Sequence, residues 1–204
     1  MPCSQSGARL PEPMGADVVR IGDVRSLLLR IELKWITPVI YRRVLVPENI
    51  TLARLHRTIQ AVMGWQDYHL HEFEIGGQRY GVPDPEWDEL GSVRPEARMR
   101  LARCLGRHKR FTYTYDFGDD WEHQIIVEKV LPPDQLPHPV CLDGEHACPP
   151  EDVGGSPGYA DFLEAITDPG HPEHEQYVAW IGGQFDPAEF DLVDANRRLS
   201  RIKL

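Results

Sequence analysis

The stretch Tyr113-Thr-Tyr-Asp-Phe-Gly-Asp-Asp-Trp-Glu-His123 decides how the rest of the chain is read. On its N-terminal side Tyr113, Tyr115 and Phe117 alternate with Thr112, Thr114 and Asp116. On its C-terminal side Trp121, His123, Ile125 and Val127 alternate with Glu122, Gln124 and Glu128. A period of two places successive side chains on opposite faces, so each run reads as a strand with one face toward a core. Gly118-Asp119-Asp120 between them has the composition of a turn. The unit is a β-hairpin, and the neighbouring segments are expected to build a sheet around it.

Toward the N-terminus, Leu27, Leu29, Ile31, Leu33 and Trp35 alternate with Leu28, Arg30, Glu32 and Lys34, a strand buried on one face. Thr37-Pro38 interrupts, and 39–46 reads as a second strand, antiparallel to the first, ending at Pro47. Thr51 is placed to cap a helix whose apolar stripe is Leu52, Leu55, Ile59, Val62 and Met63, with Gly64 as its stop. A strand follows, with His69, His71, Phe73 and Ile75 on one side, and then the Gly76-Gly77 turn and another strand over 78–82. Residues 83–97 read as a surface loop, and Met99 to Leu105 as a short strand or helical turn. Beyond the hairpin, prolines from Pro132 to Pro139 break regular structure before a loop containing Cys141 and Cys148. Helical spacing then runs from Tyr159 to Ile166 and from Pro172 to Ile181. Asp186-Pro187-Ala188-Glu189 has the form of a helix start. The expected fold is α+β: a mixed β-sheet with a β-β-α-β, β-grasp-like N-terminal part, a central hairpin and a C-terminal helical cap. Residues 1–22 read as a flexible leader, and 23–204 as one domain. Within it the sheet part spans 23–131, the Cys-rich loop 132–158 and the helical cap 159–204.

Composition narrows the function classes. The chain has 204 residues, 41% hydrophobic and 26% charged, with a formal net charge of −10. Such a charge repels phosphates on average, so broad nucleic-acid binding is not expected. The exception would be a local patch such as Arg98, Arg100, Arg103, Arg107, Lys109 and Arg110, whose plainer reading is a solvated face balanced by nearby acids. No run approaches the ~18 apolar residues needed to span a membrane, and the first residues lack an apolar signal core. A cytoplasmic location follows, in which the four cysteines are thiols or metal ligands rather than disulfides.

Three clusters could carry chemistry. Cys141 and Cys148, with His123 and His146 and further histidines at His138, His171 and His174, could complete a tetrahedral Zn²⁺ set. Their spacing is not that of a zinc ribbon, and two half-buried structural thiols explain it as well. Asp116, Asp120 and His123 are the candidate catalytic residues, within an acidic group that includes Asp119 and Glu122, with Glu151 and Asp152 nearby. Oxygen-rich clusters hold Mg²⁺ or Ca²⁺ and support phosphodiester chemistry, although Asp in a turn commonly serves the backbone. His69, His71 and His123 could meet as a facial set of imidazoles, against the alternative of hydrogen-bonded core histidines. No cofactor-binding motif is present: Gly154-Gly155 and Gly158 precede a helix without a Lys or partner fingerprint.

The blocks Tyr115-Asp-Phe-Gly-Asp-Asp-Trp-Glu-His123, Cys141, Pro149-Pro150-Glu151-Asp152-Val-Gly154-Gly155, Gly158-Tyr159 and Phe185-Asp186-Pro187 resemble the plasmid pRiA4b ORF-3-like family. The resemblance spans residues 25–200. It implies an α+β fold and an association with bacterial plasmids, chromosomes and insertion elements, and it carries over no activity and no catalytic residue. The expected function is therefore that of an accessory or binding protein of a mobile element, not an enzyme, with an unidentified protein or mobile-element partner. Its recognition surface would comprise Tyr115, Trp121, Glu151, Asp152 and Tyr159. The alternatives are a metal-dependent hydrolase or nuclease, and a DNA-binding accessory factor using the Arg98 to Arg110 patch.

Overall fold

Among the residues described by the computed structural model, 24–83, 92–133 and 139–202, eight strands form one mixed sheet. The leader expected over 1–22, the middle of the loop expected over 83–97, and His138 lie outside the described residues. In chain order the elements are β1 (Ser26–Leu33), β2 (Tyr41–Pro47), α1 (Leu52–Met63), β3 (His71–Ile75), β4 (Gln78–Gly81), β5 (Arg94–Pro95) and α2 (Leu101–Leu105). They continue with β6 (Arg110–Tyr115), β7 (Trp121–Leu131), β8 (Val140–Glu145), α3 (Gly155–Thr167), α4 (His174–Ile181) and α5 (Leu192–Leu199). The sheet order is β5-β4-β3-β6-β7-β1-β2-β8. Every pair is antiparallel except β4–β5.

The β6–β7 hairpin sits in the middle of this order, with Tyr113 opposite His123 and Tyr115 opposite Trp121. Its period of two is borne out as far as Tyr115, whereas Phe117, expected on the same face, lies in the turn and is 40% exposed. Phe111, Tyr113, Tyr115, Trp121, His123 and Ile125 all point into the core, as do Leu27, Leu29, Ile31 and Leu33 of β1. Trp35 does not continue that face: its φ is 66° and it is 74% exposed, because the chain turns out of the strand before it. Helix α1 lays Leu52, Leu55, Ile59 and Val62 against the sheet. Burying a side chain of that size contributes roughly 1.5–3 kcal/mol, far more than the propensity of any one helical residue. Thr51 caps the helix by accepting from Arg54 N, and Gly64 ends it at φ 95°, both as the residue types required.

Two expectations are corrected. The Cys-rich segment contributes β8, which pairs with the outer side of β2. Its own free edge is covered by Asn196 of α5, whose amide accepts from Cys141 N and donates to Cys141 O, both at 2.9 Å. The last helix starts at Leu192, capped by Asp191, and not at Asp186-Pro187. Asp186 Oδ1 accepts from Ala188 N at 2.9 Å and closes a local turn, and Pro187 O accepts from Ala147 N at 3.0 Å. A capping residue and a turn residue use the same side-chain oxygen, so the local pattern fits both.

The sheet has two ends. At one lie the start of α1 and α2, joined by Leu52 N to Met99 O and Leu101 N to Ile50 O, each 2.8 Å, with the first residues of β6. At the other lie the end of α1, the β6–β7 turn and the start of α3, where Asp116 N donates to Leu70 O at 2.9 Å. The 12 residues of α1 separate these ends by about 18 Å at 1.5 Å per residue.

Candidate metal centre at the hairpin end

The hairpin turn spans residues 116–120, and both flanking aspartates are left-handed, Asp116 at φ 56° and Asp120 at φ 55°. Asp tolerates this region because its short polar side chain bonds the local backbone. Asp116 Oδ1 does so, accepting from Gly118 N at 2.9 Å and Asp119 N at 3.3 Å. That fixes the carboxylate and leaves Oδ2 facing out of the turn. Asp119 Oδ2 accepts from Gly154 N at 3.1 Å, which ties the turn to the segment before α3. Gly155 approaches so closely that a Cβ there would stand 2.6 Å from the Asp119 carbonyl oxygen.

This docking carries Asp152, also left-handed at φ 58°, to the lip of the turn. The segment after α1 brings His69 to the same point. His69 Nε2 lies 2.9 Å from Asp152 Oδ1 and 3.6 Å from Asp116 Oδ2. It is sealed from solvent and hydrogen-bonded to neither. Ligands bound at about 2.1 Å to one ion stand roughly 3.0–3.4 Å apart, so such a convergence of one imidazole and two carboxylates has the dimensions of a metal site. All three atoms lie within 4.8 Å of one another. Beside them Glu151 accepts from Gln66 N at 2.6 Å and from the Tyr115 hydroxyl at 3.2 Å, and that hydroxyl accepts from Tyr68 N at 3.0 Å. Burial, reinforced by Glu151, pushes the Tyr115 phenol far above its ordinary range, so it serves as a neutral donor that holds Glu151 in place.

Behind the cluster the polar groups are closed on themselves. Gln60 Nε2 donates to the Tyr113 hydroxyl at 3.1 Å, which donates to His56 Nδ1 at 2.8 Å, and His56 Nε2 donates to Asp67 Oδ1 at 2.7 Å. Asp67 N returns to Gln60 Oε1 at 3.0 Å and closes the ring. The circuit requires a neutral His56, and burial holds its pKa down at about 4, with His71 adding to the effect. The His71 ring stacks on His56 at 3.4 Å, and His71 Nε2 reaches the buried Glu96 at 3.0 Å. His56, Asp67 and His71 form a second group of metal-ligating types, but both nitrogens of His56 are already engaged. Its geometry is that of a satisfied network.

The sequence candidates are distributed differently from expectation. Asp116 belongs to the cluster, whereas Asp120 is exposed and shapes the turn through its backbone. His123 is a core residue, packed edge-on to Trp65 at 5.3 Å, with Nδ1 donating to Tyr113 O at 3.2 Å. Desolvation lowers its pKa to about 4. His69, His71 and His123 therefore do not share a site. Among the described residues Cys141, Cys148, His123 and His146 do not converge either. Burial pushes the Cys141 thiol up to about 11 and the Cys148 thiol up to about 12. His146 spends Nδ1 on Val39 O at 3.1 Å. The expected recognition surface is also corrected. Tyr115, Trp121 and Tyr159 are buried core residues, because the alternation that made them prominent is the alternation of an inward face. Glu151 and Asp152 alone of that set reach the surface. His69 meets Asp116 and Asp152 in place of His71 and His123. The one local signal in its favour is that Asp67 and His69 follow directly on the helix stop at Gly64.

These features define a class: an α+β sheet protein whose central hairpin turn, together with the loops after α1 and before α3, presents a His–Asp–Asp cluster. The chain belongs to the plasmid pRiA4b ORF-3-like protein family, whose pattern matches residues 25–194. It is 40% identical over 176 residues to the uncharacterized protein y4hQ of Sinorhizobium fredii, covering 85% of this chain and 90% of that one. It is also similar, at a TM-score of 0.76 and 40% identity, to the crystal structure of MM3350, a protein of unknown function from Methanosarcina mazei Go1. That match covers 84% of this chain and 97% of the other.

Proposed function

We propose that the protein is an accessory binding protein of plasmid-borne or mobile DNA, and that it carries a divalent cation held by His69, Asp116 and Asp152. The family's description, which names a plasmid reading frame, is what supports the plasmid association in the first half. The second rests on one observation: the solvent-sealed His69 Nε2 that meets two carboxylate oxygens without bonding either. One nitrogen and two oxygens suit a first-row ion such as Mn²⁺, Fe²⁺ or Zn²⁺ better than Ca²⁺, which prefers oxygen alone. The ion would join three segments distant in sequence, so it would stabilise the hairpin end. Asp116 Oδ1, occupied by backbone donors, orients the ligating oxygen as an outer partner does in known centres.

Titration calorimetry and thermal unfolding with Mn²⁺ or Zn²⁺ test this. One ion per chain is expected, with stabilisation of about 2.7 kcal/mol at a hundredfold excess over Kd. His69→Gln and Asp116→Asn should each abolish the effect, and Asp116→Asn keeps the Oδ1 acceptor that the turn needs. An unfolding midpoint indifferent to both metals and to chelator would refute the site. A second reading has its own support, since three protein ligands leave positions open for water, as catalytic centres do. Metal-dependent cleavage of a phosphodiester probe, lost in Asp116→Asn, would make the protein a hydrolase instead.

A further inference from the structure

The opposite end of the sheet collects cations that are in no ion pair among the described residues. Several basic side chains elsewhere sit on acids: Lys34 on Glu122 at 2.6 Å, Arg43 on Glu128 at 2.9 Å and Arg79 on Glu72 at 2.6 Å, while Arg197 and Arg198 grip Asp194. Around the start of α1 the pattern stops. Arg54 and Arg57 on α1, Arg100 and Arg103 at α2, and Arg107 and Arg110 leading into β6 are in no ion pair among the described residues. All but the half-buried Arg54 are exposed. The backbone draws them together, since Thr51 bridges Arg100 at the join of α1 and α2. Of the acids near this end, Glu48 is engaged by Arg25 at 2.6 Å, while Glu74, opposite Thr112 of β6, is exposed and in no ion pair among the described residues.

Such a cluster works against folding. Burial, and the field of Arg57, lower the pKa of Arg54, and its Nε and Nη2 atoms are shielded from solvent with no hydrogen-bond partner. The exposed guanidiniums held near it are open to an anion from outside, which would relieve the repulsion. The first turn of α1 has no acidic residue, so the positive end of its dipole adds to the same field. At ordinary salt the Debye length is about 8–10 Å, shorter than α1, so an approaching anion meets this end and not the net charge of −10.

We infer that this end binds the phosphate backbone of duplex nucleic acid, independently of sequence. Arginine predominates over lysine, as bidentate phosphate contact favours. The exposed aromatics described, Trp35, Tyr68, Phe117 and Trp180, lie outside the arginine segments, so these offer no platform for unstacked bases. That favours a duplex over a single strand, whose binding draws on base stacking. The inference is independent of the metal at the other end of α1.

Fluorescence anisotropy with a labelled mixed-sequence duplex, titrated from low to moderate salt without divalent ions, tests it. Engagement of about four phosphates gives a log–log salt slope near −3.6, roughly a hundredfold weakening between 50 and 200 mM. Arg100→Gln, Arg103→Gln and Arg107→Gln should each reduce the slope by about 1, while Arg43→Gln, from an ion pair elsewhere, should leave it unchanged. Three results would overturn the inference: no binding at low salt, binding undiminished in the triple variant, or displacement by poly-glutamate at equal charge concentration. The last would assign the surface to an acidic protein. Stronger binding of a single strand of the same length would exclude the duplex assignment.

Discussion

The two ends of α1 treat charge in opposite ways. At the hairpin end, opposite and hydrogen-bonding groups converge from distant segments: His69 with Asp116 and Asp152, His56 with Asp67 and Tyr113, His71 with Glu96. At the α2 end, like charges are held near one another and, among the described residues, in no ion pair with an acid. The first arrangement stabilises the fold and could hold an ion. The second costs stability and is relieved by a ligand. A polar cluster is thus best judged by whether its members satisfy one another, and the contrast can be broken by mutation.

The largest effect should come from the packed end. Trp121 is 1% exposed and stacks with Trp65. Trp121→Ala should cost ~3–5 kcal/mol, through lost transfer energy and the cavity left behind. Denaturant unfolding measures it, and a near-neutral result would mean the hairpin is not the anchor of that end.

Acidification should come next. Burial depresses His123 to about 4 in the folded chain, against ~6.5 when unfolded, so the unfolded state takes up the proton first as pH falls. The stability from a neutral His123 is complete above pH ~6.5, is lost as pH falls toward 4, and levels off below. The loss is on the order of 3 kcal/mol, and His56 adds to it in the same window. Unfolding midpoints from pH 7 to 4 should show this drop, with a shallower one in His123→Leu. Equal slopes would place the acid-labile groups elsewhere.

At the arginine end the effect on stability should be smallest. Arg103→Gln with Arg107→Gln should change it by no more than ~0.5 kcal/mol, toward greater stability at low salt and toward nothing at high salt as repulsion is screened. A clear destabilisation would show that these cations have partners in the fold, and the contrast between the ends would fail.

Much of this was legible without coordinates. Period-two runs identified β1, β6 and β7 with their inward faces, and Thr51 and Gly64 bounded α1 to the residue. Such signals are local: the pleat and the helical turn impose them within a few residues. Asp116 could be singled out for the same reason, as a carboxylate at the end of a buried strand. Which residues meet it could not. Periodicity states that a side chain faces inward but not what it faces, so His123 looked like a site residue and is core, while Tyr115, Trp121 and Tyr159 looked like a surface and are buried. His69 and Asp152 reach Asp116 only because left-handed residues at Asp67, Asp116 and Asp152 turn three separate segments toward one point. The arginine block could be read from its spacing, but whether nearby acids neutralise it depended on long-range packing. Sequence alone determined the elements and their buried faces, because backbone geometry is local; the convergence of the site and the isolation of its cations belong to tertiary structure, because they depend on where loops end.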